Sequence, residues 1–116
     1  MASSKVLISE VEPDVRRLLA LLVERLGHAA VVLRDDVVAP PRADLLLVEP
    51  LSRSGIEHAR LVRAFFPELP IVCLNPLPED AGFLGRGPIT YLPKPFTPEA
   101  LGTAIDGALA RAASPV

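Results

Sequence analysis

Cysteine and lysine are scarce in this chain of 116 residues, and each scarcity narrows the class of protein. A single cysteine, Cys73, excludes an internal disulfide framework and fits a reducing compartment, so we expect a cytoplasmic location. Its neighbours are apolar, which predicts a buried small hydrophobe rather than a nucleophile. His28 and His58 match no catalytic or metal spacing with it and are expected to be surface or hydrogen-bonded histidines. Only two lysines, Lys5 and Lys94, stand against ten arginines, so each lysine is a candidate for a specific role.

Several patterns that mark other classes of protein are also missing. The formal net charge is −2, so no basic surface for nucleic acid is expected. No apolar run approaches the roughly 18 residues of a membrane span, and the N-terminal residues lack the apolar core of a signal peptide, so no membrane contact is expected. Because no Gly-rich nucleotide loop, nucleophile elbow or zinc spacing occurs, the chain is not expected to be an enzyme. Its length predicts one domain, over residues 1–116.

The stretch 44–50, with the sequence DLLLVEP, is the centre of the predicted fold. Its uninterrupted apolar residues are typical of a strand that is buried on both faces of a parallel sheet. In an open α/β sheet, ligands bind beyond the carboxyl ends of the strands. Glu49, which closes this strand, is therefore expected at the functional edge of the sheet.

Apolar runs elsewhere predict four further strands. They cover 5–8, 29–33, 71–74 and 89–92. Because strands alternate with helices, the sequence predicts a doubly wound α/β sheet with right-handed crossovers. The second crossover, 34–43, is short and contains Pro40-Pro41, so we expect less than two helical turns and a thinly covered flank, open to a partner or a second copy. Prolines and glycines at both ends of 76–87 predict a short or irregular helix.

Three predicted helices have clear limits. The first occupies 13–27, and its predicted apolar face comprises Val15, Leu18, Leu19, Leu22 and Leu26. The third crossover helix is preceded by a capping-box pattern, Ser54 with Glu57, and Arg63 is expected on its solvated face. The final helix begins after Thr97, which is a favourable N-cap.

The strands deliver polar residues to one edge of the predicted sheet. Glu10 and Glu12 follow the first strand, Glu49 the third, Asn75 the fourth and Lys94 the fifth. Acids that face a lysine form an electrostatic cluster, and such clusters are enriched at functional sites. A purely structural Glu49–Lys94 ion pair is the alternative interpretation. Glu12 is interpreted as an acid that favours the start of a helix rather than as a ligand.

These residues give the chain a resemblance to the receiver domains of bacterial two-component response regulators, over essentially its whole length. The resemblance rests on KVLI at 5–8, EPDVRRLL at 12–19, LGH at 26–28, DLLLVEP at 44–50, LPIV at 69–72 and, most specifically, YLPKPFTPE at 91–99. It implies a flavodoxin-like five-stranded parallel sheet with strand order 2-1-3-4-5, here with a shortened second helix. It also implies protein partners, such as a histidine kinase or a downstream signalling protein, and a homodimer as a further option.

The chain departs from the receiver pattern where the family is phosphorylated. Glu10 takes the first place of the acid pair that holds magnesium in the family, while Val11 takes the second and offers no ligand. Glu49 stands at the place of the phosphoacceptor aspartate, and Asn75 at that of the hydroxyl residue that reads the phosphoryl group. Glutamate moves the carboxylate outward by about 1.5 Å, a displacement that can cost about 100-fold in rate. Because magnesium tolerates little change in its ligands, no metal or other cofactor is expected, with Glu10 and Glu49 as the weak candidate ligands.

Other positions keep the receiver pattern. Lys94 matches the family's lysine, and Tyr91 stands at the position of its switch aromatic or is simply the aromatic end of a strand. The resemblance implies a cis peptide bond before Pro95, with Lys94 pointing at Glu49. The leading interpretation is a pseudo-receiver that works without phosphorylation, through protein contacts of its fourth helix, fifth strand and fifth helix. The alternatives are a genuine phosphoreceiver with a weakened metal site and a small flavodoxin-like enzyme, which a bound flavin or nucleotide would reveal.

Overall fold

The computed structural model describes residues 3–76 and 87–113. Its strands and helices follow one another as β1 (Lys5–Ser9), α1 (Pro13–Arg25), β2 (Ala29–Val32), β3 (Leu45–Val48), α2 (Arg53–Phe65), β4 (Ile71–Cys73), β5 (Ile89–Tyr91) and α3 (Pro98–Ala113). The strands pair in parallel in the order β2-β1-β3-β4-β5. The predicted flavodoxin-like sheet is therefore confirmed. Most of the segment 76–87, where a short helix was expected, lies outside the described residues.

The sheet separates two apolar cores. Successive residues of a strand point to opposite faces, so Val6 and Ile8 of β1 pack with α1 and α3, while Leu7 packs with α2. All four residues of β3 are buried. This burial on both faces accounts for the unbroken apolar run of the central strand.

The first helix ends as predicted but buries a different stripe of side chains. Gly27 follows the helix with a φ of 91°, a left-handed conformation that glycine adopts without steric cost. Leu18 and Leu26, both predicted to be buried, are 48% and 41% exposed, whereas Leu19 and Val23 are fully buried. Neighbouring residues are about 100° apart around a helix of 3.6 residues per turn. Burial of Leu19 therefore turns Leu18 toward solvent.

The connection from β2 to β3 is a loop. Residues 33–44 are all described and contain one turn at 35–36 and no helix, so the prediction of less than two helical turns is confirmed. Leu33 and Pro40 of this loop are buried, whereas Val38 is 85% exposed. The association of this flank with a partner or a second copy stays a prediction. None of the described helices is long and apolar enough to cross a membrane.

The helix α2 begins two residues earlier than its predicted cap implies. Ser52, rather than Ser54, is the N-cap, and its hydroxyl accepts a hydrogen bond from the Gly55 N–H at 2.9 Å. The final helix begins as predicted, because Thr97 Oγ1 accepts from the Ala100 N–H at 3.0 Å.

The expectation that Arg63 lies on a solvated face is wrong. Arg63 is buried, and its guanidinium donates to the carbonyls of Pro67 at 2.9 Å, Leu69 at 2.7 Å and Pro88 at 3.3 Å. The chain turns back over the end of α2 and presents these carbonyls to the guanidinium, whose several donors suit such a set of acceptors. Burial lowers the pKa of Arg63, against the opposing effect of the nearby Glu68.

Candidate functional site

Four polar side chains meet beyond the carboxyl ends of the strands. Glu10 directly follows β1 and Glu49 directly follows β3, while Asn75 and Lys94 come two and three residues after β4 and β5. Backbone hydrogen bonds that continue the sheet hold two of them, because the N–H groups of Glu49 and Lys94 donate to strand-end carbonyls at 2.9 and 3.1 Å. We name this group the carboxylate pocket. The structure thus brings together four of the five residues that the sequence placed at one edge, while Glu12 lies at the start of α1.

Lys94 binds Glu10 more closely than Glu49. Its Nζ lies 2.6 Å from Glu10 Oε1 and 3.6 Å from Glu49 Oε2. Lys94 thus reaches Glu49, as expected, but its closer partner is Glu10, which the expectation did not include. The Glu10 side chain is fully buried, and a buried carboxylate is costly without a partner. A glutamate at this position also reaches one methylene further than an aspartate, which brings it to the lysine.

Asn75 holds the carboxylate of Glu49. Its Nδ2 donates to Glu49 Oε2 at 2.5 Å, and this is the oxygen that faces Lys94. An amide and an ammonium group therefore converge on one oxygen of a side chain that is 9% exposed. Hydrogen bonds to an ionised acceptor are among the stronger ones in proteins, so Glu49 is held by the hydrogen bond from Asn75 and, more loosely, by its ion pair with Lys94.

The start of α2 fixes the backbone of Glu49. The Ser52 hydroxyl donates to the Glu49 carbonyl at 3.2 Å while it accepts from the Gly55 N–H. A Cβ atom at Gly55 would overlap the Glu49 carbonyl oxygen, so the close approach of the helix to the strand end requires glycine. Sequence reasoning missed this support, although a serine and a glycine shortly after the strand-end acid were its available signal.

The remaining predicted positions surround the pocket. Val11 is 48% exposed and contributes an apolar side chain, and Tyr91 is 52% exposed at the end of β5. Glu12 occupies the N-cap position of α1, where its side chain makes no capping hydrogen bond. The Lys94–Pro95 peptide bond is cis, as expected.

A second polar cluster joins β1, the β2–β3 loop and α2. His58 is buried, with Nε2 at 3.0 Å from the Arg34 carbonyl and Nδ1 at 2.6 Å from Ser9 Oγ. Because a carbonyl can only accept, Nε2 carries the proton, and Nδ1 accepts from the Ser9 hydroxyl. His58 is thus a hydrogen-bonded histidine, one of the two expected alternatives, and so is His28, whose Nδ1 accepts from the Ser4 N–H at 3.1 Å.

A cavity of about 120 Å³ is lined by residues of both this cluster and the carboxylate pocket. Glu10, Arg16, Asp35 and His58 are among the residues that line it. Arg16 donates to the Glu10 carbonyl at 3.2 Å. Glu10 Oε2 is buried and has no hydrogen-bond partner among the described residues, so one oxygen of this carboxylate remains available as an acceptor.

The residues of the pocket do not fit a magnesium ion. Magnesium requires near-octahedral oxygen ligation, and the described residues contain no group of three or more His, Cys, Asp or Glu side chains that could hold a metal. The free Glu10 oxygen favours a cation. Against it, the ammonium group of Lys94 already contacts both carboxylates, and position 11 offers an apolar side chain.

Comparison with solved structures identifies the fold. No protein-family model and no curated protein matches the sequence. The chain is similar in structure to the chemotaxis protein CheY4 of Vibrio cholerae, with a TM-score of 0.76 and 21% identity over 92% of this chain and 99% of that one. It is also similar to the receiver domain of the sensor histidine kinase PA1611 from Pseudomonas aeruginosa, which has a magnesium ion coordinated in its active-site cleft. That match has a TM-score of 0.75 and 23% identity over 94% of this chain and 99% of that one.

A longer protein contains a similar domain. NtrX from Brucella abortus, solved with ADP, matches with a TM-score of 0.78 and 20% identity over 96% of this chain. This chain spans 27% of the NtrX chain. The fold of this chain is therefore that of receiver domains, as the resemblance implied.

Proposed function

We propose that this chain, as one domain over residues 1–116, is a receiver-type signalling module of the cytoplasm that works without phosphorylation of Glu49. It acts through contacts with other proteins rather than as an enzyme. The partner classes that suit it are a histidine kinase, a downstream signalling protein or a second copy of the chain.

The observation that carries this proposal is the convergence of Lys94 and Asn75 on one oxygen of Glu49. Phosphoryl transfer depends on the position of the nucleophile and on a cation that neutralises the transferred group. Here both neighbouring donors are bound to the acids of the pocket itself. A phosphoryl group on Glu49 would have to displace these donors from the acids. It would also lack the metal ligand of the receiver pattern at position 11, where this chain has Val11.

Exposed apolar side chains support a role in protein contacts. Leu18 and Leu21, one turn apart on α1, are 48% and 46% exposed, and Tyr91 at the end of β5 is 52% exposed. Exposed apolar patches on soluble proteins often mark interaction sites. Tyr91 also lies on the fifth strand, which belongs to the contact surface that the resemblance implies.

Incubation with a small phosphodonor and magnesium, followed by intact-protein mass spectrometry, tests the proposal. We expect no phosphoryl adduct on the wild-type chain. The matched control is the triple variant Glu10→Asp, Val11→Asp and Glu49→Asp, which restores the acids of the receiver pattern and should regain magnesium binding. A wild-type protein that carries a phosphoryl group mapped to Glu49 would refute the proposal and favour a genuine phosphoreceiver with a weakened metal site.

A further inference from the structure

We propose that the ammonium group of Lys94 is the resident cation of the carboxylate pocket and that it keeps a latent divalent-cation site closed. The inference rests on the proposed function in treating the pocket as the counterpart of a receiver site. It goes further because it names the group that excludes the metal and predicts that neutralising this group opens the site.

The position of Lys94 Nζ defines the latent site. This atom lies 2.6 Å from Glu10 Oε1 and 3.6 Å from Glu49 Oε2, so a single point in the pocket is close to both carboxylates. Oxygen ligands from carboxylates and amides suit Mg²⁺ and Mn²⁺. In this chain the point is taken by a nitrogen that the protein itself supplies.

Charge explains why the lysine and a divalent cation exclude each other. Two carboxylates and one ammonium group leave the pocket with one uncompensated negative charge. A divalent cation added to them would create a net positive charge in a largely buried place, where unbalanced charge is costly. Without the lysine charge, the same cation would balance the two carboxylates. The free Oε2 of Glu10 would then also be available to it.

Mn²⁺ binding to purified full-length variants tests this inference. The free Mn²⁺ ion is followed by electron paramagnetic resonance, and paramagnetic broadening of the Asn75 side-chain amide in the NMR spectrum locates the bound ion. We expect Lys94→Met to bind Mn²⁺ at least about ten-fold more tightly than the wild type, a ratio that corresponds to about 1.4 kcal/mol. The matched control is Lys5→Met, which removes the same charge at the opposite end of β1 and should leave Mn²⁺ affinity at the wild-type level.

A second substitution guards against a variant that does not fold. Lys94→Gln removes the charge but keeps a donor for Glu10, and we expect it to bind Mn²⁺ like Lys94→Met. Wild-type binding as tight as that of a folded Lys94 variant would overturn the inference, and so would folded Lys94 variants that gain no affinity.

The result is separable from the test of the proposed function. A phosphoryl adduct on Glu49 would refute phosphorylation independence and leave the Mn²⁺ comparison standing. Unchanged Mn²⁺ affinity would refute the lysine's role and leave phosphorylation independence standing.

Discussion

A double-mutant cycle on Glu10 and Lys94 measures how strongly the carboxylate pocket is held together. The variants are Glu10→Gln, Lys94→Met and their combination. At the observed 2.6 Å separation, the gross Coulomb attraction is about 6 kcal/mol for an effective dielectric constant of about 20. Most of it offsets the cost of removing the buried carboxylate from water. We expect a coupling free energy of about 2 to 3 kcal/mol, the upper range for groups in direct contact.

The chain offers a matched control in an exposed ion pair. Arg53 and Glu57 are 3.4 Å apart on α2, with side chains 94% and 64% exposed. The corresponding cycle should give a coupling of at most about 0.5 kcal/mol, because water and salt screen such pairs. Both couplings come from urea unfolding followed by far-ultraviolet circular dichroism, with m-values checked for constancy. A Glu10–Lys94 coupling no larger than that of the control would refute the view that this pair holds the pocket.

Three further changes test other parts of the structure. Arg63→Met should lower the free energy of unfolding by about 3 kcal/mol in urea titrations, because three carbonyls lose a charged donor; a change below about 1 kcal/mol would contradict this. Replacing His58 by Leu should speed hydrogen exchange in residues 33–44, since the Arg34 carbonyl loses its contact with α2; unchanged exchange measured by mass spectrometry would show that the loop does not need this contact. Burial raises the pKa of the Cys73 thiol from 9.0 to about 11, so the unfolded chain releases its proton at lower pH than the folded protein does. The free energy of unfolding should therefore fall by up to about 1.4 kcal/mol per pH unit as the pH rises from 9 to 11. The variant Cys73→Ala measures the pH dependence that comes from all other titrating groups, and it should lack the part of the fall that Cys73 causes.

The sheet was predictable because its signals are local and repeated. The apolar run of β3, the proline at the start of α1 and the glycine after it each report on their own position in the chain. Alternation of such signals leaves few topologies, since parallel crossovers are right-handed. Even the missing helix between β2 and β3 follows from Pro40-Pro41 and the short spacing.

Side chains that bind distant backbone could not be predicted in the same way. Arg63 occupies a helix position where an arginine is usually solvated, and only the fold shows that the carbonyls of Leu69 and Pro88 come within its reach. His58 contacts Ser9 and Arg34, which lie 49 and 24 residues away. A polar serine at the end of an apolar strand was a signal of such a contact, but it does not identify the partner.

The choice of Glu10 as the main partner of Lys94 could not be predicted for a different reason. From the sequence, Glu10 and Glu49 are both glutamates that follow strands, and either could reach the lysine. The structure separates them because Asn75 already donates to Glu49, while Glu10 is fully buried and has no other side-chain donor among the described residues. The main partner of Lys94 is thus the acid that lacks another hydrogen-bond donor, and this depends on the assembled pocket rather than on the local sequence.

The proposed signalling mode is supported by the contacts that the pocket residues make with one another. Glu49 accepts a hydrogen bond from the Asn75 amide and forms an ion pair with Lys94, whose own hydrogen bond goes to Glu10. Buried polar networks whose members are bound to each other are rigid, and each bond strengthens its neighbours. A modification at Glu49 would have to break these bonds before it could form new ones, whereas a protein that binds the exposed surface of α1 or β5 leaves them intact. A ligand shifts a conformational equilibrium only by its difference in affinity for the two states. For this chain, we propose that this difference comes from the contact surface of a partner, because the lysine and the amide of the pocket already bind its own carboxylates.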